Sequence, residues 1–252
     1  MVRYFIELAY NGAPFCGWQL QPNGVTVQGE LERVLATLFR ESVRLTGAGR
    51  TDTGVHALYY VAHFDAEKDD LHKDTSLVKK INGLLPREIV VFRIIAVASD
   101  AHARFDAIAR TYHYRIATMK NPFTIDLAYH FYRPLDVAKM NEAATILPEY
   151  KDFTSFSKLH GNAKTNLCDI TLAYWTEDSA SGELKFVITA NRFLRNMVRA
   201  IVGTMIEIGL GKCAPDDIRR IILAKDRGMA GTSAPPQGLY LANIEYPIDL
   251  MK

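Results

Sequence analysis

Two kinds of apolar periodicity alternate along this chain, and their order limits the fold more than any other feature. Val27–Phe39 places apolar residues at helical spacing, whereas Arg3–Ala9 is a short apolar run that ends at an Asn-Gly turn signal. The predicted strands are Arg3–Ala9, Val43–Thr46, Leu58–Phe64, Ile89–Val97, Thr111–Ala117, Leu167–Thr176, Leu184–Ala190 and Leu239–Tyr246. The predicted helices are Val27–Phe39, Leu77–Leu84, Val137–Leu147 and Phe193–Leu210. The order strand, helix, strand, strand, helix, strand therefore occurs once and then recurs loosely.

This order predicts an α+β protein made of two sandwich halves. Each half is expected to be a mostly antiparallel sheet with helices packed on one face. A chain of 252 residues with 48% hydrophobic residues is long enough to bury two moderate cores. We expect the two sheets to lie side by side around a central active-site cleft. The hydrophobic pattern is interrupted near residues 99–102, so the predicted halves are 1–104 and 105–252.

Several classes of protein are disfavoured by composition. The sequence has no run of about 18 apolar residues to cross a membrane, and its first ten residues lack the features of a signal peptide. We therefore expect a cytoplasmic protein with no membrane partner. The three cysteines are far apart, and no cluster has metal-ligand spacing, so no metal site is predicted. Because the net charge is only +2, a nucleic-acid site must come from local clusters of basic residues.

The stretch Gly47–Ala57, GAGRTDTGVHA, combines an arginine and an aspartate with three glycines. If the Arg-Thr-Asp piece is extended, Arg50 and Asp52 project from the same side of it. A neighbouring guanidinium favours the ionised carboxylate, which is the form that acts as a nucleophile or base. Glycines would let a ligand approach the backbone closely. The alternative is an ordinary turn-capping aspartate in a surface ion pair.

Two further segments mix basic side chains with aromatic or apolar ones. Ala103–Ile116 interleaves Arg104, Arg110 and Arg115 with Phe105, Tyr112 and Tyr114. Aromatic rings and cations on one sheet face suit an unstacked RNA base and its phosphates, although a sheet core with tyrosine hydroxyls at its edge is an alternative. Asn191–Gly211 reads as a helix on which Arg192, Arg195 and Arg199 share one face. The alternative for these three is ordinary solvated helix charge.

Together these segments resemble the tRNA pseudouridine synthase A family over almost the whole chain. The motifs that carry the resemblance, in chain order, are Gly17-Trp18-Gln19, GRTDTGVHA, HARF at 102–105, ARTYHY at 109–114, FTSF at 153–156, FLRNMVRAIVGTMIEIG at 193–209 and GLYL at 238–241. Several long motifs in the same order make the match specific. The resemblance implies an isomerase that converts uridine to pseudouridine at positions 38, 39 and 40 in the anticodon stem-loop of tRNA. It also implies no cofactor and a homodimer whose cleft spans both subunits.

The resemblance also assigns roles to particular residues. It implies that Asp52 is the catalytic aspartate, that Arg50 contacts the extruded nucleotide and that Tyr112 stacks on or adjoins the target base. It further implies that Arg199 pairs with Asp52 and that Leu239 lines the base pocket. Arg110, Arg192 and Arg195 are expected to contact RNA. Whether Asp52 adds to C6, attacks C1′ or acts through a glycal is left open by the sequence. The rival functions are a noncatalytic RNA-binding module and an aspartate-nucleophile phosphotransferase that requires magnesium.

Overall fold

The computed structural model describes residues 1–158 and 165–251. Packing divides the chain into two compact units, one of Met1–Ile108 with Leu241–Lys252 and one of Ala109–Tyr240. The first unit contains β1 (Val2–Tyr10), α1 (Val27–Phe39), β2 (Thr46–Gly47), β3 (His56–Ala66), α2 (Leu77–Leu84) and β4 (Ile89–Val97). The second contains β5 (Ala109–Ala117), β6 (Tyr129–His130), α3 (Val137–Ile146), β7 (Ile170–Asp178), β8 (Glu183–Ala190), α4 (Met197–Gly209) and α5 (Asp217–Ala224). β9 (Leu239–Glu245) begins in the second unit and continues in the first.

In the first unit, β1 is the central strand and pairs antiparallel with both β3 and β4. Alternate residues of β1 face opposite sides of the sheet, and both sides are covered. On one side Tyr4 stacks on Phe64 with ring centroids 5.6 Å apart, and Phe39 at the end of α1 lies 6.2 Å from the same ring. On the other side Phe5 is buried in a cluster that includes Val61. α1 begins where the Thr26 side chain accepts a hydrogen bond from Gly29 N.

In the second unit, β8 pairs antiparallel with both β5 and β7, and β6 pairs parallel with β5. Trp175 of β7 stacks on Phe186 of β8 at 4.9 Å and donates from Nε1 to Met205 Sδ in α4. The side chain of Asn141 in α3 exchanges two hydrogen bonds with the backbone of Trp175. These contacts hold α3 and α4 against the sheet.

The α+β class with mostly antiparallel strands is confirmed. Three elements have the predicted bounds, namely α1, α2 and β4. α5 was not predicted, and of the strand predicted at Val43–Thr46 only Thr46 lies in a strand, β2. The two predicted domains, 1–104 and 105–252, stay predictions.

The long helix predicted at Phe193–Leu210 is wrong in its first turn, because α4 begins at Met197. The residue before it, Asn196, has φ 68° in the left-handed region, which interrupts a helix. Arg192 and Arg195 therefore precede the helix, and the predicted arginine face shared with Arg199 does not exist. Phe193 and Leu194 are apolar at positions that fit the helical spacing, although they precede the helix.

Candidate active site

Asp52 lies in the first unit, on the connection between β2 and β3. Burial alternates along this connection, since Arg50 is exposed, Thr51 is buried and Asp52 is half-buried. Alternating burial is typical of an extended segment, which is the condition under which Arg50 and Asp52 project from the same side. Asp52 O accepts a hydrogen bond from Val55 N at 3.1 Å, which closes a tight turn after the carboxylate.

The connection that carries Asp52 is fixed from several directions. Thr51 O accepts from Trp18 N at 3.3 Å, and the Thr51 hydroxyl lies 2.9 Å from the hydroxyl of Tyr10. The Tyr60 hydroxyl donates to Gly49 O. Gly54 N donates to Phe15 O at 3.3 Å. The backbone on both sides of Asp52 is therefore held by β1, β3 and the Phe15–Trp18 segment, so the carboxylate is presented from a rigid base.

The three glycines of the Gly47–Ala57 stretch differ in their surroundings and backbone conformation. A Cβ at Gly47 would come within 2.2 Å of the Tyr60 hydroxyl and 2.5 Å of Trp18 Nε1, so this glycine makes room for protein side chains. Gly54 has φ 77°, a conformation that L side chains rarely adopt. A Cβ at Gly49 would meet no atom within 4 Å. Gly47 therefore does not leave space for a ligand, and the space beside Gly49 is where the predicted close approach of a ligand stays a prediction.

In the second unit, β5 presents Arg110, Tyr112 and Tyr114 on one face, because they alternate along the strand. Arg110 donates from a terminal guanidinium nitrogen to Asn191 O at 2.9 Å, and the Tyr112 ring meets Phe193 edge-on at 5.0 Å. Tyr112 is half-buried. The segment after β8 therefore packs against the start of β5.

Tyr114 is fully buried and donates its hydroxyl to Pro235 O at 2.7 Å. Burial raises the pKa of Tyr114, which keeps the phenol protonated as a donor. A Cβ at Gly238 would lie 2.7 Å from the Tyr114 ring, so the turn before Leu239 packs directly on this tyrosine. Leu239 opens β9 and is 7% exposed. Tyr114 thus positions the segment that presents Leu239.

Arg199 lies in the first turn of α4 and is half-buried. Its Nε donates to Ala234 O at 2.7 Å, and Ala234 N donates to Arg199 O at 2.9 Å. The segment before Ala234 lies close along α4, since a Cβ at Gly203 would be 1.8 Å from Thr232 O. A guanidinium is planar, so fixing Nε fixes the direction of the whole group.

The other two predicted RNA-binding arginines lie in the segment between β8 and α4. Arg192 is half-buried. Burial raises the pKa of the nearby Cys168 thiol to about 11, and the charge of Arg192 partly opposes this rise. Arg195 is exposed, and its carbonyl accepts from Lys158 N at 3.1 Å. The roles assigned to the eight site residues stay predictions.

The described part of the chain offers neither a metal-binding group of side chains nor a membrane-spanning helix. Within residues 1–158 and 165–251, no three histidine, cysteine, aspartate or glutamate side chains are grouped so that they could hold a metal ion. None of the helices in the same ranges combines the length and the apolarity needed to cross a bilayer.

Sequence reasoning missed the residues that support the site. Trp18 and Tyr60 stack at 4.1 Å and hold Gly47 and Gly49, and Ala234 fixes Arg199 through backbone atoms. The Gly17-Trp18-Gln19 motif was a signal for the first of these supports. No sequence signal identifies Ala234, because a backbone carbonyl is present at every residue.

Comparisons with known proteins agree with the motifs. A family model described as tRNA pseudouridine synthase matches residues 150–247. The proteins named tRNA pseudouridine synthase A from Porphyromonas gingivalis and Bacteroides fragilis are each 53% identical over 250 residues, which is 99% of this chain and 99% and 98% of theirs. That of Limosilactobacillus reuteri is 39% identical over 98% of this chain and 97% of its own. With relatives this similar along the full length, the chain belongs to the tRNA pseudouridine synthase A family.

Proposed function

We propose that this protein isomerises uridine to pseudouridine in the anticodon stem-loop of tRNA, at positions 38, 39 and 40, with Asp52 as the catalytic carboxylate. The observation that carries the proposal is the placement of Asp52. It is a half-buried carboxylate on a connection whose neighbours are fixed by Tyr10, Trp18 and Tyr60. The membership of the chain in the family supports the choice of tRNA as substrate.

The chemistry requires few groups. The glycosidic bond between C1′ and N1 breaks, the same uracil turns, and a bond forms between C1′ and C5. N1 gains a proton and C5 loses one, so the reaction is an isomerisation with no net oxidation. The target nucleotide must leave the stack, at a cost of a few kcal/mol. A carboxylate, an enclosed position for the detached base and an acceptor for the C5 proton are sufficient.

The other predicted residues have compatible surroundings for their proposed roles. Tyr112 is half-buried and is proposed to stack on or adjoin the target base, and its hydroxyl is the proposed acceptor of the C5 proton. Arg199, aimed by Ala234, is the proposed partner that keeps Asp52 ionised, and Leu239 is the proposed apolar wall for the base. Arg50 is exposed and is proposed to contact the extruded nucleotide.

The remaining basic residues and the assembly complete the proposal. Arg110, Arg192 and Arg195 are proposed to contact RNA beside the target nucleotide. The working enzyme is proposed to be a cytoplasmic homodimer that needs no cofactor and whose cleft uses both subunits. These statements follow the family resemblance.

Asp52→Asn tests the proposal with little change of shape. Unmodified tRNA is incubated with the enzyme in a chelator, and pseudouridine is detected as carbodiimide-dependent stops in primer extension. We expect stops in the anticodon arm with the natural enzyme and none with Asp52→Asn, while tRNA affinity is largely retained because phosphate contacts dominate it. Asp69→Asn, a change at an exposed loop carboxylate of the same unit, is the matched control and should behave like the natural enzyme.

Three outcomes contradict the proposal. Full turnover by Asp52→Asn would remove the catalytic assignment. Unaltered tRNA that still binds to the natural enzyme would instead favour a noncatalytic RNA-binding module. Turnover that is lost in chelator and restored by magnesium would point to a metal-dependent reaction.

A further inference from the structure

The turn at residues 102–106 carries an unusually exposed aromatic side chain for such a firmly held segment. Phe105 is 73% exposed. The backbone around it is fixed within the turn, since His102 N donates to Asp106 Oδ2 at 2.7 Å and Asp106 N donates to His102 O at 3.1 Å. His102 Nδ1 also accepts from Arg104 N at 3.1 Å and from Phe105 N at 3.3 Å.

The same turn is tied to the body of the first unit. Ala103 N donates to His63 Nδ1 at 3.1 Å, and Ala103 O accepts from the Tyr246 hydroxyl. The His63 ring meets the His102 ring edge-on at 4.7 Å. The position of Phe105 is therefore set by contacts of its turn with buried His63, half-buried His102 and Tyr246.

The neighbours of the Phe105 ring match what a nucleobase and its phosphate need. The His102 ring lies 4.2 Å from the Phe105 ring, and the Arg104 guanidinium carbon lies over the Phe105 ring at 5.6 Å. An exposed ring can stack on an unpaired base of any kind, and a cation beside it can meet the phosphate of the same nucleotide. Because the turn is fixed before binding, little conformational entropy is lost when a base stacks on it.

We infer that Phe105 and Arg104 form a stacking platform for an unpaired nucleotide of the RNA substrate, separate from the proposed catalytic residues. The inference rests on the proposed function only in taking tRNA as the substrate. A base is favoured over an apolar protein segment as the occupant because a cation lies on the ring. The platform holds the RNA and makes no bond to the uracil that reacts.

The test measures binding in the Asp52→Asn background, so that it does not depend on catalysis. The probe is a labelled stem-loop RNA with an unpaired loop, and a fully paired RNA of the same length is measured beside it. We expect Phe105→Ala and Phe105→Leu to weaken stem-loop binding about five- to a hundredfold, equivalent to about 1–3 kcal/mol for one stacked base. Phe105→Trp should bind within about threefold of the parent, because the larger ring still stacks.

Controls separate stacking from charge and from general surface effects. Arg104→Ala should lower the slope of log affinity against log salt by about one, whereas Phe105→Ala should leave that slope unchanged. Phe123→Ala removes a phenyl that is 86% exposed in the second unit and should leave RNA binding unchanged. Binding of the paired RNA should respond little to Phe105→Ala.

Three results would overturn the inference. The first is Phe105→Leu binding as tightly as the parent, which would remove the need for a ring. The second is an equal loss in Phe123→Ala, which would make the effect one of general hydrophobic surface. The third is a change of sedimentation from dimer to monomer in Phe105→Ala, which would assign the ring to contact with a second copy. Absence of isomerase activity in the natural enzyme would contradict the proposed function and leave this binding result intact.

Discussion

Gly203→Ala is expected to destabilise the second unit, although alanine is the better helix former. Gly203 lies inside α4, where the Thr232 carbonyl approaches the helix. A Cβ added there would be 1.8 Å from Thr232 O, whereas ordinary contacts begin at 3.4 Å. The Thr232 segment must therefore move away from α4 by roughly 1.6 Å, the difference between those two distances.

The size of the effect follows from the hydrogen bonds that cross this contact. Arg199 and Ala234 exchange two, at 2.7 and 2.9 Å, and Gly231 N donates to Thr204 Oγ1 at 2.9 Å. Each contributes about 1 kcal/mol, so losing the three costs about 3 kcal/mol. Replacing glycine in a helix returns about 1 kcal/mol. The expected net loss is about 2 kcal/mol of unfolding free energy.

Urea unfolding followed by circular dichroism measures this loss, and Gly83→Ala is the matched control. Gly83 lies in the exposed last turn of α2, and a Cβ there would meet no atom within 4 Å. That substitution should stabilise the protein by up to about 1 kcal/mol. At urea concentrations below its unfolding midpoint, Gly203→Ala should also form pseudouridine more slowly, because Ala234 O, which accepts from Arg199 Nε, is displaced.

A Gly203→Ala protein as stable as Gly83→Ala would refute the reasoning, because it would mean that the Thr232 segment yields without cost. Lower stability with an unchanged turnover rate would have a narrower consequence. It would separate the packing of this segment from the proposed role of Arg199.

Other predictions concern the chemistry, the RNA contacts and the response to pH. Tyr112→Phe keeps the ring against Phe193, so tRNA affinity should stay near normal while product forms much more slowly; an unchanged single-turnover rate would remove the hydroxyl as proton acceptor. Arg195→Ala should lower the salt slope of tRNA affinity by about one and spare the rate, whereas Arg199→Ala should do the reverse; exchanged results would contradict both placements. Burial lowers the pKa of His63 in the folded protein to about 4 from 6.5. As pH drops from about 6.5 to about 4, the unfolded chain is therefore protonated at His63 before the folded one, and the free energy of unfolding should fall by up to about 3 kcal/mol. His63→Asn keeps an acceptor for Ala103 N and should remove that part of the decline, and parallel pH curves for the two proteins would contradict it.

The local sequence pattern predicted the bounds of those helices and strands that depend mainly on residues close together in the chain. The bounds of α1, α2 and β4 agree with the predictions because each has a regular apolar period and clear end signals. The Gly47–Ala57 stretch likewise combined the arginine and the aspartate with turn residues, and the structure presents them from one connection. The α+β class followed from the order of the elements.

Long-range contacts decided the features that local pattern predicted wrongly or could not address. Local spacing predicted most of the helical and extended segments, because these depend on residues a few positions apart, and the resemblance to the family supplied the roles of the candidate site residues. Packing determined three features that local spacing did not show: α4 begins after Asn196, whose side chain donates to Ser233 Oγ at 2.6 Å; Gly47 makes room for the Trp18 and Tyr60 rings; and Ala234 O fixes Arg199. Each of these depends on atoms brought together from distant parts of the chain, and the closeness of such atoms is a property of packing that no local periodicity records.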